Sequence, residues 1–336
     1  MPWNSYVKRS ITTMARRASR VGGVQYLPGR MYSNVVLEQL KSRSLLRVQG
    51  EDVQPYLQGL ITNDINLFQQ GSSSIYAMLL NASGRVLYDC IIYKATDKND
   101  DFLVECGCDV VEKLEKHLNL FRVRKKVTIA PAELNVWVAF SPKGQSDLID
   151  STISSKDSTM KVYNDARLKD LGCRIVTGNA ANFESLCSLF PSDANFENSI
   201  TYLEHRYSLG VGEGVVDFPP GKCFALESNC DFMQGVSFNK GCYVGQELTA
   251  RTHHTGVVRK RLLPLFFEDT VNECELSPDT EIKSSDGQTV GKLRGVANRV
   301  GLGLLRIEKI LNSQSLVVGN KIVCKTQIPH WWPKEK

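Results

Sequence analysis

Residues 75–95 read IYAMLLNASGRVLYDCIIYKA. Two apolar runs flank a short polar stretch that ends in Gly84, the pattern of a β-hairpin. Around it, SLLRVQG (44–50) reads as a strand, and EDVQPYLQGLITNDI has helical spacing at Val53, Tyr56, Leu57, Leu60 and Ile61. DFLVEC is a further strand, DVVEKLEKHLNLF an amphipathic helix, and KVTIAP and NVWVAF strands. Hairpins mixed with helices exclude a strict strand–helix alternation. They predict an α+β class with mostly antiparallel sheets.

Further along, GQSDLIDSTISSKDST (144–159) reads as a surface loop. KVYNDAR and GCRIVTG read as strands, and ANFESLCSLF and ITYLEHRYSLGV as helices. After Leu262 the pattern changes to short strands with turn signals, including Asp286-Gly287 between extended runs. That predicts a small all-β module, a barrel, over 262–330.

The 336 residues are 42% hydrophobic and 23% charged, an ordinary globular composition. No apolar run reaches the roughly 18 residues that argue for a transmembrane helix. The net charge of +5 is local. Residues 1–32 hold Lys8, Arg9, Arg16, Arg17, Arg20 and Arg30 and no acid. Setting those six aside leaves 35 Lys and Arg against 36 Asp and Glu, so the body has no cationic excess for nucleic acid. An acid-free N-terminus with Arg and Ser has the composition of a mitochondrial transit peptide, which predicts the matrix as destination.

None of the ten cysteines forms a CxxC pair, so no zinc-ribbon spacing is present. Cys242 differs from the rest in its setting, SFNKGCYVGQELTARTHHTGVVRKRL (237–262). A turn over Asn239-Lys240-Gly241 precedes a helix expected to start near Tyr243–Gly245. A cysteine there, beside Lys240, would feel a positive potential that favours the thiolate. The alternative is a buried cysteine in a tight turn. His253 and His254 follow beyond that helix. Eleven residues after Cys242 matches no common zinc spacing, and on a strand the two would face opposite sides.

Two other places invite chemistry. Glu227, Asn229 and Asp231 alternate, and in an extended segment they would share one face, suited to a pterin-like ring. Asp89 sits among Val, Leu, Tyr and Ile; it is either an outward-facing residue or a buried carboxylate.

LQGLITNDI (57–65), LLNASGRVLYD (79–89), YSLGVGEG (207–214), the long run 227–262 and GKLRG (291–295) occur in this order. Together they resemble the YgfZ-type relatives of the glycine-cleavage aminomethyltransferase (T-protein), above all the mitochondrial iron–sulfur assembly branch. The resemblance implies a three-lobed ring of two α+β lobes and a C-terminal barrel. The lobes would span 33–130 with 200–261, 131–199, and 262–330, after a transit peptide over 1–32. It implies a role in late maturation of [4Fe-4S] enzymes such as aconitase and lipoate synthase, with A-type iron–sulfur carriers and apo client enzymes as partners. It implies a functional Cys242, with Lys240, Gly241, Tyr243, Gly245, Gln246, Glu247 and Arg251 around it. Tetrahydrofolate is the cofactor it implies, with Asn63, Asp89, Glu227, Asn229 and Asp231 as candidate contacts and Asp89 as a candidate catalytic carboxylate.

One cysteine cannot hold a cluster that takes four protein ligands, so a [2Fe-2S] or [4Fe-4S] cluster at Cys242 would be transient and shared with a partner. The chain departs from the T-protein pattern at Tyr88 and Ser208, where that protein has acids. Whether it is an enzyme therefore stays open, with folate-dependent aminomethyl or methyl transfer as the alternative.

Overall fold

The computed structural model describes residues 34–142, 160–192, 194–272, 275–310, 315–319 and 321–334. The basic segment 1–32 and the Ser- and Asp-rich stretch 144–159 lie outside the described residues.

The hairpin at 75–95 forms as read. Strand β3 (Ser74–Leu80) pairs antiparallel with β4 (Val86–Lys94), with Met78 opposite Asp89. With β2 (Arg43–Gln49), β5 (Asp101–Gly107) and β6 (Thr128–Ala132) they make a five-stranded sheet in the order β3-β4-β5-β2-β6. The apolar run of β3 is continuous because both faces of the strand are buried. Ile75, Ala77 and Leu79 pack against helices α1 (Val53–Gln58) and α2 (Val111–Arg122), while Tyr76, Met78 and Leu80 face the other way. Period-two alternation carries into β4. Cys90 and Ile92 join the helix side; Ile91 and Tyr93 join the opposite cluster, and Asp89 is in phase with them.

A second sheet has the order β1-β7-β9-β8, from β1 (Val36–Gln39), β7 (Leu134–Phe140), β8 (Met160–Asn164) and β9 (Cys173–Gly178). The resemblance puts 36–39 with the first lobe. The structure pairs it instead with β7, and Leu37 packs among Trp137, Ala139 and Ile175. Helix α3 (Phe183–Cys187) covers this sheet, its Leu186 buried in the same cluster. Helix α4 (Tyr202–Ser208) starts at a capping box, Thr201 to Glu204, and is followed by the single turn α5 (Gly214–Asp217).

The C-terminal strands β10 (Lys260–Phe267), β11 (Glu281–Ser284), β12 (Thr289–Ala297), β13 (Val300–Arg306), β14 (Leu316–Val318) and β15 (Ile322–Thr326) close into a barrel, as the turn signals predict. The barrel meets α4 closely. A Cβ at Gly295 would lie 2.2 Å from the Tyr207 hydroxyl, so the bulged strand β12 admits that ring only beside a glycine. The α+β class with a closed C-terminal barrel is borne out.

Candidate functional site

The loop that carries Cys242 is held on both sides. Before it, the Lys240 ammonium donates to three backbone carbonyls, those of Gln58, Ile61 and Asn63, each at 2.7 Å. These oxygens end α1 and the turn after it, where helix carbonyls lack intrahelical partners. Burial lowers Lys240 to about 8, against the pull of Asp64.

After Cys242, helix α6 (Gln246–Thr255) begins behind Gly245, whose φ of 78° is left-handed. A Cβ on Gly245 would stand 2.3 Å from the Asn81 carbonyl oxygen, and one on Gly84 would stand 2.9 Å from Leu248 Cβ. The NASG turn of the β3–β4 hairpin and the start of α6 therefore interlock through two glycines. Asn81 holds the turn's shape by accepting from the Ser83 and Arg85 amides. Gln246 accepts from the Tyr243 amide, and Glu247 lies in the first helical turn, where a negative charge is favoured. Burial pushes the Tyr243 hydroxyl up to about 12.

Between these anchors Gly241 and Cys242 are exposed. Gly241 has no positive φ, and a Cβ there would meet nothing within 4 Å. Neither backbone nor packing requires a glycine, so its effect is to leave the approach to the thiol open. Cys108 and Cys242 are the exposed cysteines among those described; Cys187 is half-buried and the rest are buried.

Two parts of the predicted setting are corrected. The helix starts four residues after Cys242, so the thiol is not in its first turn. The Lys240 ammonium points into carbonyls, which is where its charge is spent. The histidines also differ from the strand reading. Both lie in the last turn of α6, where His253 stacks on Phe238 with ring centroids 3.5 Å apart. Arg251 is exposed on the same helix and forms no salt bridge among the described residues.

The folate candidates are dispersed. Residues 224–234 are a series of turns, not an extended strand, and Asn229 has φ 59°. Glu227, Asn229 and Asp231 therefore share no face. Asn229 is buried and donates to the Leu262 carbonyl, while Asp231 pairs with Arg261. Asn63 donates to the carbonyls of Tyr76 and Gln234. Each of these three is spent on holding a loop.

Asp89 resolves as the buried carboxylate, 4% exposed. It sits in a network the sequence reading missed, between the inner face of the first sheet and the second sheet. Arg43 on β2 bonds Glu105 on β5 at 2.7 Å; Tyr93 also donates to Glu105. Arg174 on β9 bonds Glu213 at 2.6 Å, and Arg167 lies 2.8 Å from Glu213 and bonds Asp165 at 2.7 Å. Arg206 on α4 bonds Asp217, which also accepts from Tyr207. Burial alone would raise Glu213, but Arg43, Arg174, Arg167 and Arg206 hold it well below the usual carboxylate range. Asp89 goes the other way. Burial raises it and Glu213 adds repulsion, against the pull of Arg43 at 3.6 Å.

The signal for the network was in the alternation. Arg43 and Glu105 occupy inner-face positions in phase with Leu45 and Leu103.

A cavity of 540 Å³ opens onto this network, lined by Arg43, Tyr202, Tyr207, Glu213, Arg294 and the exposed Cys108, among others. Cys242 is not among its lining residues. Both terminal nitrogens of Arg43 are buried without a hydrogen-bond partner. Among the described residues no group of three or more His, Cys, Asp and Glu could hold a metal ion, and no helix is long and apolar enough to cross a membrane.

Known proteins with this architecture place the chain. Residues 259–334 match the family described as the CAF17 C-terminal β-barrel domain. The chain is 39% identical over 307 residues to a human protein named iron–sulfur cluster assembly factor IBA57, mitochondrial, covering 88% of this chain and 85% of that one. This chain belongs to the IBA57 family. The mouse protein of that name is 38% identical at the same coverage, and the IBA57 homolog of Mycosarcoma maydis is 29% identical over 89% of this chain. Among solved structures, the glycine cleavage system aminomethyltransferase T of Bartonella henselae superposes with a TM-score of 0.69. It covers 89% of this chain and 87% of its own at 12% identity. That likeness shows a shared fold, and it gives the IBA57 family chain the T-protein architecture that the sequence motifs resemble.

Proposed function

We propose that this chain is a matrix assembly factor for [4Fe-4S] proteins, and that Cys242 supplies one ligand to a cluster shared with an A-type carrier. One observation carries the reading: an exposed thiol, beside a glycine no packing requires, on a loop pinned by the Lys240 clasp and the Gly245 turn. A ligand offered to a partner needs both fixed position and open approach. One thiolate completes no cluster, so the remaining ligands come from the carrier. The relatives are named as mitochondrial iron–sulfur assembly factors, which agrees with the basic N-terminal segment. Replacing Cys242 by serine in cells that depend on this chain tests the reading. Lipoylation and aconitase activity should fall to the level of cells lacking the chain; unchanged activities would refute it.

A second reading, tetrahydrofolate binding, is favoured by the 540 Å³ cavity, whose volume suits a small molecule. Its aromatic walls, Tyr202 and Tyr207, and the Arg43 terminal nitrogens, which make no hydrogen bond although one lies 3.6 Å from Asp89, fit a ring-bearing anion. Arg43 would hold a carboxylate of the ligand, and Asp89 beside it would serve as a polar contact. Bound tetrahydrofolate would bring a one-carbon carrier to this site. The chain offers little for transfer itself: Glu105, Asp165, Glu213 and Asp217 are all committed to arginines. Calorimetric titration with tetrahydrofolate, with Arg43→Lys as control, tests binding. Absence of heat in the unmodified protein would remove this reading.

A further inference from the structure

A second cavity, of 350 Å³, lies against α6, the helix that leads out of the Cys242 loop. Its walls are mostly apolar: Phe224, Leu226, Leu248, Val257 and Val258. Val257, on its edge, is 79% exposed, so this is apolar surface left in water. Six residues separate Cys242 from Leu248, which limits the distance between them to about 20 Å.

The rim is cationic. Arg259 and Lys260 line the groove and form no salt bridge among the described residues. Arg85 lies over the ring of Phe224, 4.6 Å from its centroid, and Arg251 is exposed on α6. The lone carboxylate in the groove is Glu227, half-buried and without a hydrogen bond or salt bridge to its side chain among the described residues. Burial raises Glu227, against Lys260, Arg294 and Arg85. Cations that outnumber the one carboxylate around an apolar slot complement a segment that is acidic with an apolar anchor.

We propose that this groove docks the protein that completes the cluster at Cys242. It receives one apolar side chain of an acidic segment, whose carboxylates meet Arg259 and Lys260. The proposal rests on the reading of Cys242 as a shared ligand, and it assigns the contacts that bring the partner there before any iron–thiolate bond forms.

The test uses the full chain and an apo A-type carrier, with binding followed by calorimetry at low and high salt. The double variant Arg259→Glu/Lys260→Glu should bind about tenfold more weakly and lose most of its salt dependence. Val257→Asp, a change on the exposed edge, should weaken binding similarly. Thermal melts matching the unmodified protein show that both variants fold. Cys242→Ser should keep apo-carrier binding while losing cluster absorbance in the mixture. If the groove variants bind the carrier within twofold of the unmodified chain, the docking surface is wrong. If Cys242→Ser keeps cluster absorbance, the ligand assignment is wrong whatever the groove does.

Discussion

Cys242 sits on a loop held in place by residues whose own chemistry is silent. Lys240 is a positioning residue. Three converging carbonyls suit a tetrahedral ammonium and not a planar guanidinium. Lys240→Met should cost about 1–3 kcal/mol, the usual cost of leaving buried polar groups without partners. Lys240→Arg should fail to restore cluster formation even where stability recovers. Denaturant melts alongside cluster absorbance separate the two effects. Gly241→Ala is the converse: stability within about 0.5 kcal/mol of the parent, as for surface changes generally, but weaker capture of a cluster-loaded carrier. The motif K-G-C was legible as a place. The job of its lysine was not, because its partners lie some 180 residues away in sequence.

Among the elements, the 75–95 hairpin was readable because both strands carry sustained apolar runs and the turn has its glycine. The contact of that turn with α6 was not, since it needs two glycines far apart in sequence. Gly245→Ala should destabilise by more than the roughly 1–2 kcal/mol of a left-handed backbone, because its Cβ would also meet the Asn81 carbonyl. It should disturb the Cys242 loop with it, seen as altered amide exchange over 240–250. Residues 224–234 show the opposite lesson. Alternating polar residues suggested a strand, but turn hydrogen bonds and the positive φ of Asn229 overrode the pattern. Periodicity alone cannot distinguish a short strand from a chain of turns.

The whole molecule is tied together by the buried charge network and by α4 wedged against the barrel. Fold class and barrel followed from hydrophobic pattern; the network did not, because its members come from β2, β4, β5, β9 and the segments at 165–167 and 206–217. Removing one partner leaves the others charged in the interior. Arg174→Met should therefore cost about 3–5 kcal/mol in denaturant melts. His205 on α4 adds a pH dependence. It stacks on Phe140 and bonds the Asp170 carbonyl at 2.7 Å, and burial lowers it below its ordinary 6.5. The unfolded chain then binds the proton first, so stability should fall as pH drops below about 6.5. His205→Gln should flatten that part of the profile.

As proposed, Cys242 is the ligand this chain contributes to a cluster completed by another protein. Anaerobic reconstitution with iron and sulfide, read by visible absorbance, tests it most directly. The chain alone should stay colourless, the chain with an A-type carrier should form a coloured heteromeric complex, and Cys242→Ser should abolish that complex. A stable cluster on the chain alone, or an undiminished complex with Cys242→Ser, would contradict it.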